Sequence, residues 1–272
     1  MIARREQQLT YLLLGVFSLI ALVPVAGIVV TALQARGSAA GFGVPDGFNL
    51  ENFATAWEEG NFADYLRSSV IVTVSVVALS TLLSILAGYA FGMMRFRGSS
   101  ALFYLMLLGL MVPLEATIVP LYYDLRDLSL TDTYWALILP QVGASVAFGT
   151  FWMRAFFRSV PRSLVEAARL DGSSSWTTLW RVVLPLGRPA VLTMVALIFM
   201  WTWNEFLLAL VMVSDEGLRT APLGLAFFQG RNTTDYALLA AGSVIVATPV
   251  VVLYVFLQRH FIRGMLAGAV KG

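Results

Sequence analysis

Residues 69–94 read SVIVTVSVVALSTLLSILAGYAFGMM, 26 positions without an Asp, Glu, Lys, Arg or His. At ~1.5 Å per residue, a helix of this length exceeds the ~30 Å hydrocarbon core of a bilayer. The run is apolar on every side, as expected of a helix among lipids and other helices. Working outward, five more stretches are predominantly apolar and long enough to span, at 10–33, 101–122, 134–157, 189–213 and 236–258. Hydrophobic residues make up 58% of the chain and charged ones 12%, against about 25% charged in soluble domains, and the mean hydropathy is +0.79. The expectation is an all-α polytopic membrane protein: six transmembrane helices forming a single domain over 1–272. The first run follows Arg4 and Arg5 but is too long for a signal-peptide core, so it is read as an uncleaved anchor.

Arginine placement sets the expected orientation, because cytoplasmic connections retain Lys and Arg. With both termini cytoplasmic, the inner side carries thirteen of the eighteen basic residues, among them Arg95, Arg97, Arg158, Arg162, Arg169, Arg181 and Arg188. Arg36, Arg67, Arg126, Arg219 and Arg231 remain outside, with most of the acids. The basic pI therefore reflects topology and implies no nucleic-acid partner; membrane lipid is the expected surrounding. There is no cysteine, and the one histidine, His260, falls at the end of a span. It reads as an interfacial residue, and no metal site is expected.

The outer connection 34–68 contains the turn-rich passage Phe42 to Gly47 and then Asn49 to Trp57, a candidate short amphipathic helix. The inner connection 158–188 is arginine-rich and periodic. Pro161 suits a helix start, Leu164, Val165, Ala168 and Leu170 recur on neighbouring faces, and Gly172 supplies a stop. One of Ser173, Ser174 and Ser175 then caps a second helix carrying Trp176, Leu179, Trp180, Val182 and Val183, ended by Leu184-Pro185. Two short helices with exposed Leu164, Trp176 and Trp180 need a covering surface, and periodicity alone leaves open an anionic lipid face or a protein partner.

The residue order narrows this choice. Glu166-Ala167-Ala168, three residues, Gly172, nine residues, Val182, one residue, then Leu184-Pro185 resembles the EAA loop of ABC importer permeases, with Val182 in place of the usual isoleucine. Pro113-Leu114-Glu115 with Ile118 to Leu121, Leu130 to Thr133, Trp203-Asn204-Glu205-Phe206 and the ending Arg263 to Gly272 are similar to the carbohydrate branch, the smaller permeases of maltose-type and glycerol-3-phosphate-type systems. The resemblance implies the type I importer permease fold in a bacterial or archaeal cell membrane. It also implies a homologous second permease, two ABC ATPase subunits, an extracytoplasmic sugar-binding protein or lipoprotein, and a sugar substrate. By the same resemblance Glu166, Ala167, Ala168, Asp171, Gly172, Leu184 and Pro185 couple to the ATPase, with the two alanines permitting close approach and Gly172 a positive φ. Glu166 is expected to pair with Arg162, Arg169 or an ATPase arginine. Phe228, Gln229 and Gly230, in the outer connection 214–235, are the candidate binding-protein contact.

Two acids lie within the spans, Glu115 and Glu205, and intramembrane acids mark pathways. With Trp203 and Asn204 they form the candidate substrate pathway; the alternative is an ion-coupled secondary transporter using the two glutamates. No catalytic residue is expected. The sole lysine is Lys271, so no phosphate-binding Gly-x-x-x-x-Gly-Lys loop exists. The chain is expected to hold no cofactor of its own, with ATP and Mg bound by a partner ATPase, and neither a zinc-protease nor a serine-protease motif is found.

Overall fold

The computed structural model describes residues 4–38, 47–228 and 235–269. Among them every regular element is helical: α1 (Arg4–Ala32), α2 (Glu51–Glu59), α3 (Phe62–Met93), α4 (Ser99–Met111), α5 (Leu114–Asp127), α6 (Tyr134–Ser159), α7 (Arg162–Leu170), α8 (Ser175–Thr177), α9 (Leu184–Leu186), α10 (Arg188–Trp203), α11 (Leu207–Met212), α12 (Ala221–Phe228) and α13 (Tyr236–Ala269). A π-helical turn, Thr178–Val183, joins α8 to α9, and a 3-10 turn, Glu216–Leu218, precedes α12. The all-α expectation holds.

Among the described residues four helices, α1, α3, α6 and α13, are long and apolar enough to cross a membrane, and up to six spans result if each of two bent pairs counts as one. The first bend divides a stretch that the sequence presents as one span. The stretch 101–122 breaks at Val112-Pro113, where α4 and α5 meet at 97°. Pro113 takes φ −67° and ψ 136°, an extended geometry that cannot continue α4 and that starts α5 well. Pro120 sits inside α5 without breaking it. The second bent pair is Ser175–Leu186 with α10, at 82°; separately, the stretch 189–213 divides into α10 and α11 at Asn204-Glu205-Phe206.

The chain forms two compact units. The first joins the residues up to Ala63 to Leu223–Pro249. Here α1 is largely exposed, as a lipid-facing helix should be. The expected short helix appears as α2, anchored by Asn52, whose buried amide donates to the Ala32 and Gln34 carbonyls. Arg36 lies 3.3 Å from Asp235 and 3.7 Å from Glu59, and Asp235 also caps α13 by accepting from the Ala237 and Leu238 N–H groups.

The second unit contains Asp64–Pro222 and the residues from Val250 on. Its core, including Val72, Val76, Leu137, Met153, Phe157, Met194, Ile198, Leu208 and Met212, is centred on α6, against which α4, α10 and α11 pack. Helix α3 approaches α6 through a row of small residues. A Cβ on Gly88 would lie 2.6 Å from Met153 Cβ, and one on Gly92 2.8 Å from Phe157 Cβ. Small residues at such contacts let membrane helices approach closely and pack tightly. Arg154 holds α4 and the end of α3 together, donating to the Phe91 carbonyl (3.3 Å) with its guanidinium 3.7 Å over the Phe103 ring. At the other end of α3, Ser68 meets the Tyr134 hydroxyl and donates to the Gly217 carbonyl, while Asp132 accepts from the Ser214 and Asp215 N–H groups.

Candidate functional site

The connection 158–188 folds as helix, turn, helix. Val160-Pro161 is extended and starts α7. The turn after α7 is a Schellman motif: Ser173 N–H donates to the Ala168 carbonyl (2.9 Å) and Gly172 N–H to the Arg169 carbonyl (3.0 Å). Gly172 has φ +80°, and a Cβ placed there would meet nothing within 4 Å. The requirement for glycine is therefore one of backbone conformation alone. Of the three candidate serines, Ser174 is the cap, its hydroxyl accepting from Thr177 N–H at 3.2 Å.

The second helix differs from the simple one expected. It includes the π turn Thr178–Val183 and runs through Pro185 to Leu186. Pro185 does not end it but lies in its last turn, which Gly187 N–H closes by donating to the Val183 and Leu184 carbonyls. π turns are rare and often found at functional positions. Within this one the Thr178 hydroxyl and the Trp180 indole N–H are buried without hydrogen-bond partners. Trp176 and Trp180 meet edge to face, with ring centroids 5.5 Å apart.

Glu166, Ala167, Asp171 and Pro185 are exposed, whereas Ala168 is 7% exposed and Leu184 half-buried. Only Ala167 of the two alanines faces outward. Ala168 faces its own chain, where α7 packs on the π turn, so the close approach its small side chain permits is internal. Leu164 and Trp180 are half-buried as well; the large apolar side chains presented outward are Leu170, 90% exposed, Trp176, 61% exposed, and Leu186, 58% exposed. No ion pair joins Glu166 to Arg162 or Arg169 among the described residues, which leaves its carboxylate available.

The loop is fixed to the α6–α10 pair. A Cβ on Gly187 would lie 2.5 Å from the Phe156 ring, so the corner where Ser175–Leu186 meets α10 at 82° closes on an aromatic face. Further along, Trp152 Nε1 donates to the Ala190 carbonyl (3.0 Å) and Phe148 packs edge to face on Trp201, with centroids 4.7 Å apart.

The second candidate region surrounds the break between α10 and α11. Glu205 Oε1 accepts from Leu208 N–H at 2.8 Å, capping α11, and the Asn204 amide donates to the Met200 carbonyl at 2.7 Å. Glu205 lines a crevice with Ser69, Val72, Thr73, Leu137, Gln141, Thr202, Ala209 and Thr220. Trp203 is 2% exposed and stacked on Phe199 at 5.6 Å, so the aromatic face expected of it is covered by its own chain. Trp201, 51% exposed, is the aromatic presented outward. Glu115 is exposed in the first turn of α5 and does not line the crevice. Phe228 ends α12, and Gln229 and Gly230 lie outside the described residues. Thr73, Gln141 and Thr202 are the positions that a search for intramembrane charge passes over; counting amides and hydroxyls inside the apolar spans would have found them.

Residues 80–266 match the family described as binding-protein-dependent transport system inner membrane component. The chain is 38% identical over 229 residues to a probable ABC transporter permease protein of Bacillus subtilis (strain 168), covering 84% of this chain and 76% of the relative. It is 32% identical to a diacetylchitobiose uptake system permease protein of Streptomyces coelicolor, covering 98% and 90%. It is 36% identical to an arabinooligosaccharides transport system permease protein of Halalkalibacterium halodurans, covering 84% and 81%. Among solved structures, it is similar in fold to a chain of a bacterial ABC transporter involved in the import of the acidic polysaccharide alginate. That match has a TM-score of 0.81 and 24% identity, and covers 96% of this chain and 99% of the other.

Proposed function

The chain belongs to the family of inner membrane components of binding-protein-dependent transport systems, and from that premise we propose that it is the smaller of two permeases in an ATP-driven importer of carbohydrates. A homologous second permease completes the pathway, two ABC ATPase subunits bind ATP and Mg, and an extracytoplasmic sugar-binding protein delivers the substrate. Both termini and the loop Glu166–Pro185 face the cytoplasm.

The observation that carries the reading is the built geometry of that loop. A glycine-dependent turn sets α7 against the π turn, and Gly187 closes the corner to α10 on Phe156. A segment clamped in this way moves with α10. When ATP closes the ATPase subunits, the docked loop transmits the displacement to the spans. Leu170 and Trp176 offer apolar contact, and the unpaired Glu166 carboxylate, with Asp171, offers acceptors to a cationic group on the ATPase.

Glu115, Trp203, Asn204 and Glu205 serve the substrate pathway, and Phe228, Gln229 and Gly230 contact the binding protein. Trehalose, diacetylchitobiose and arabinooligosaccharides are the sugars in the names of relatives and make a first panel.

The test is reconstitution of the four-subunit complex in liposomes. ATP-dependent, binding-protein-dependent uptake of a panel sugar is expected, insensitive to a proton ionophore. Uptake that survives ATP depletion but is abolished by the ionophore would overturn the proposal.

A further inference from the structure

The crevice at the α10–α11 break has a composition that neither the coupling loop nor the fold requires. We propose that Thr73, Gln141 and Thr202, together with Glu205, form a recognition niche for the hydroxyl groups of a neutral sugar and set which sugars the protein passes. The proposal rests on the carbohydrate reading above and adds to it the residues that select.

The donor set is the first argument. Ser69, Thr73, Thr202 and Thr220 bring hydroxyls, Gln141 an amide and Glu205 a carboxylate. Hydroxyls donate and accept, an amide does both, and a carboxylate accepts only. A polyol, whose groups each donate and accept, matches such a set. No Arg or Lys lines the crevice, and Glu205 would repel a phosphate or uronate. The niche therefore fits a neutral sugar, in contrast to the acidic polysaccharide handled by the transporter of similar fold.

Unspent hydrogen-bonding capacity is the second. Thr220 is 7% exposed and its hydroxyl has no hydrogen-bond partner among the described residues. Glu205 gives one oxygen to Leu208 N–H; the other makes no hydrogen bond among the described residues. Gln141 donates to the Leu137 carbonyl, which leaves its amide oxygen for a ligand. Buried polar atoms are normally paired, and hydroxyls of a bound sugar would pair these.

The third is how the crevice opens. In this conformation it is too narrow to admit a water molecule. Thr202 and Glu205 stand at the end of α10 and in the break beyond it, while Ala209 belongs to α11. A shift of α11 about Asn204–Phe206 would widen the crevice at the expense of the Asp132 N–H bond to the Met212 carbonyl.

The experiment uses the complete complex in liposomes, with trehalose, N,N′-diacetylchitobiose and arabinotriose as probes, each also as deoxy analogues. Thr73→Val and Gln141→Leu keep volume and remove hydrogen bonding. Because the binding protein governs saturation, the readout is sugar moved per ATP hydrolysed. Each variant is expected to lower it about three- to tenfold, unequally among sugars and analogues, with binding-protein-stimulated ATP hydrolysis and melting temperature unchanged. Equal losses for every sugar accompanied by lost ATP hydrolysis would mark a packing role and overturn the proposal, as would wild-type ratios in both variants. If the unmodified complex moves no sugar that its own binding protein retains, the carbohydrate reading itself fails and takes the niche with it; uptake by the wild type with indistinguishable variants removes the niche alone.

Discussion

Replacing Gly172 by valine isolates the contribution of one backbone angle to coupling. Gly172 sits at φ +80° with open space around the position of a Cβ, so no collision complicates the change. An L-residue in the left-handed region costs roughly 1–2 kcal/mol, and a β-branched one falls at the upper end. Opposing this are the two hydrogen bonds of the turn, from Gly172 and Ser173 N–H to Arg169 and Ala168, each worth about 1 kcal/mol net. The terms are close in size. The ratio of intact to opened turn is then expected to fall about 5–30-fold, which against about 2 kcal/mol of hydrogen bonding leaves roughly 50–85% of the turns intact, while the spans, which do not share the turn, stay folded. The assay is sugar uptake against binding-protein-stimulated ATP hydrolysis in liposomes, with subunit assembly measured by co-purification. Uptake is expected to fall roughly in step with the turn's population. Gly37 is a matched control: it also has φ +80° and open space, but lies in the connection after α1, so Gly37→Val carries the same backbone cost without touching coupling. Wild-type uptake in Gly172→Val, or equal loss in Gly37→Val, would refute the reasoning.

Other perturbations follow from the same geometry. Gly88→Val drives a side chain into Met153 Cβ, 2.6 Å from the new Cβ; overpacking costs about 1–3 kcal/mol, and a lowered melting temperature of the purified complex is expected. Arg154→Gln removes the stacking on Phe103, expected to cost about 1–2 kcal/mol in a thermal or denaturant scan. Glu205→Ala removes the cap on Leu208 N–H at about 1 kcal/mol, whereas Glu205→Gln keeps an acceptor oxygen and is expected to cost less than half of that. Glu166→Lys reverses an exposed, unpaired charge, so stability should stay within about 0.5 kcal/mol of wild type while co-purification of the ATPase weakens.

The helical class and the positions of the apolar runs were legible because a bilayer demands long uninterrupted apolar helices, and α1, α3, α6 and α13 obey that demand. The Gly172 turn was legible too, because only glycine enters the left-handed region at little cost. The breaks were harder to read. Pro113 and Pro120 offer the same local signal, yet only Pro113 interrupts a helix, since where a chain turns depends on what its two halves then pack against. The break at Asn204–Phe206 contains neither glycine nor proline, and its Glu205 cap is set by three-dimensional position. Trp203 and Ala168 were assigned outward roles from residue type; the structure turns both inward, a choice made by packing that a motif does not encode. The π turn leaves no periodic trace, because one extra residue in a helix of twelve falls within the scatter of any apolar pattern.

The Gly187 corner has a mechanical consequence. Twelve residues on one side and sixteen on the other make arms of about 18 Å and 24 Å at ~1.5 Å rise per residue, set at 82° and seated on the Phe156 ring. Such a joint behaves as a bell crank: a turn of about 10° displaces the short arm's tip by about 3 Å and the long arm's tip by about 4 Å on these lengths, along nearly perpendicular directions. A push at the loop thus emerges redirected at the far end of α10, where Thr202 stands beside the helix break. Stiffness at a single glycine–aromatic contact decides how much of the stroke arrives, so enlarging residue 187 would alter the gearing between ATP use and sugar movement before it altered either one alone.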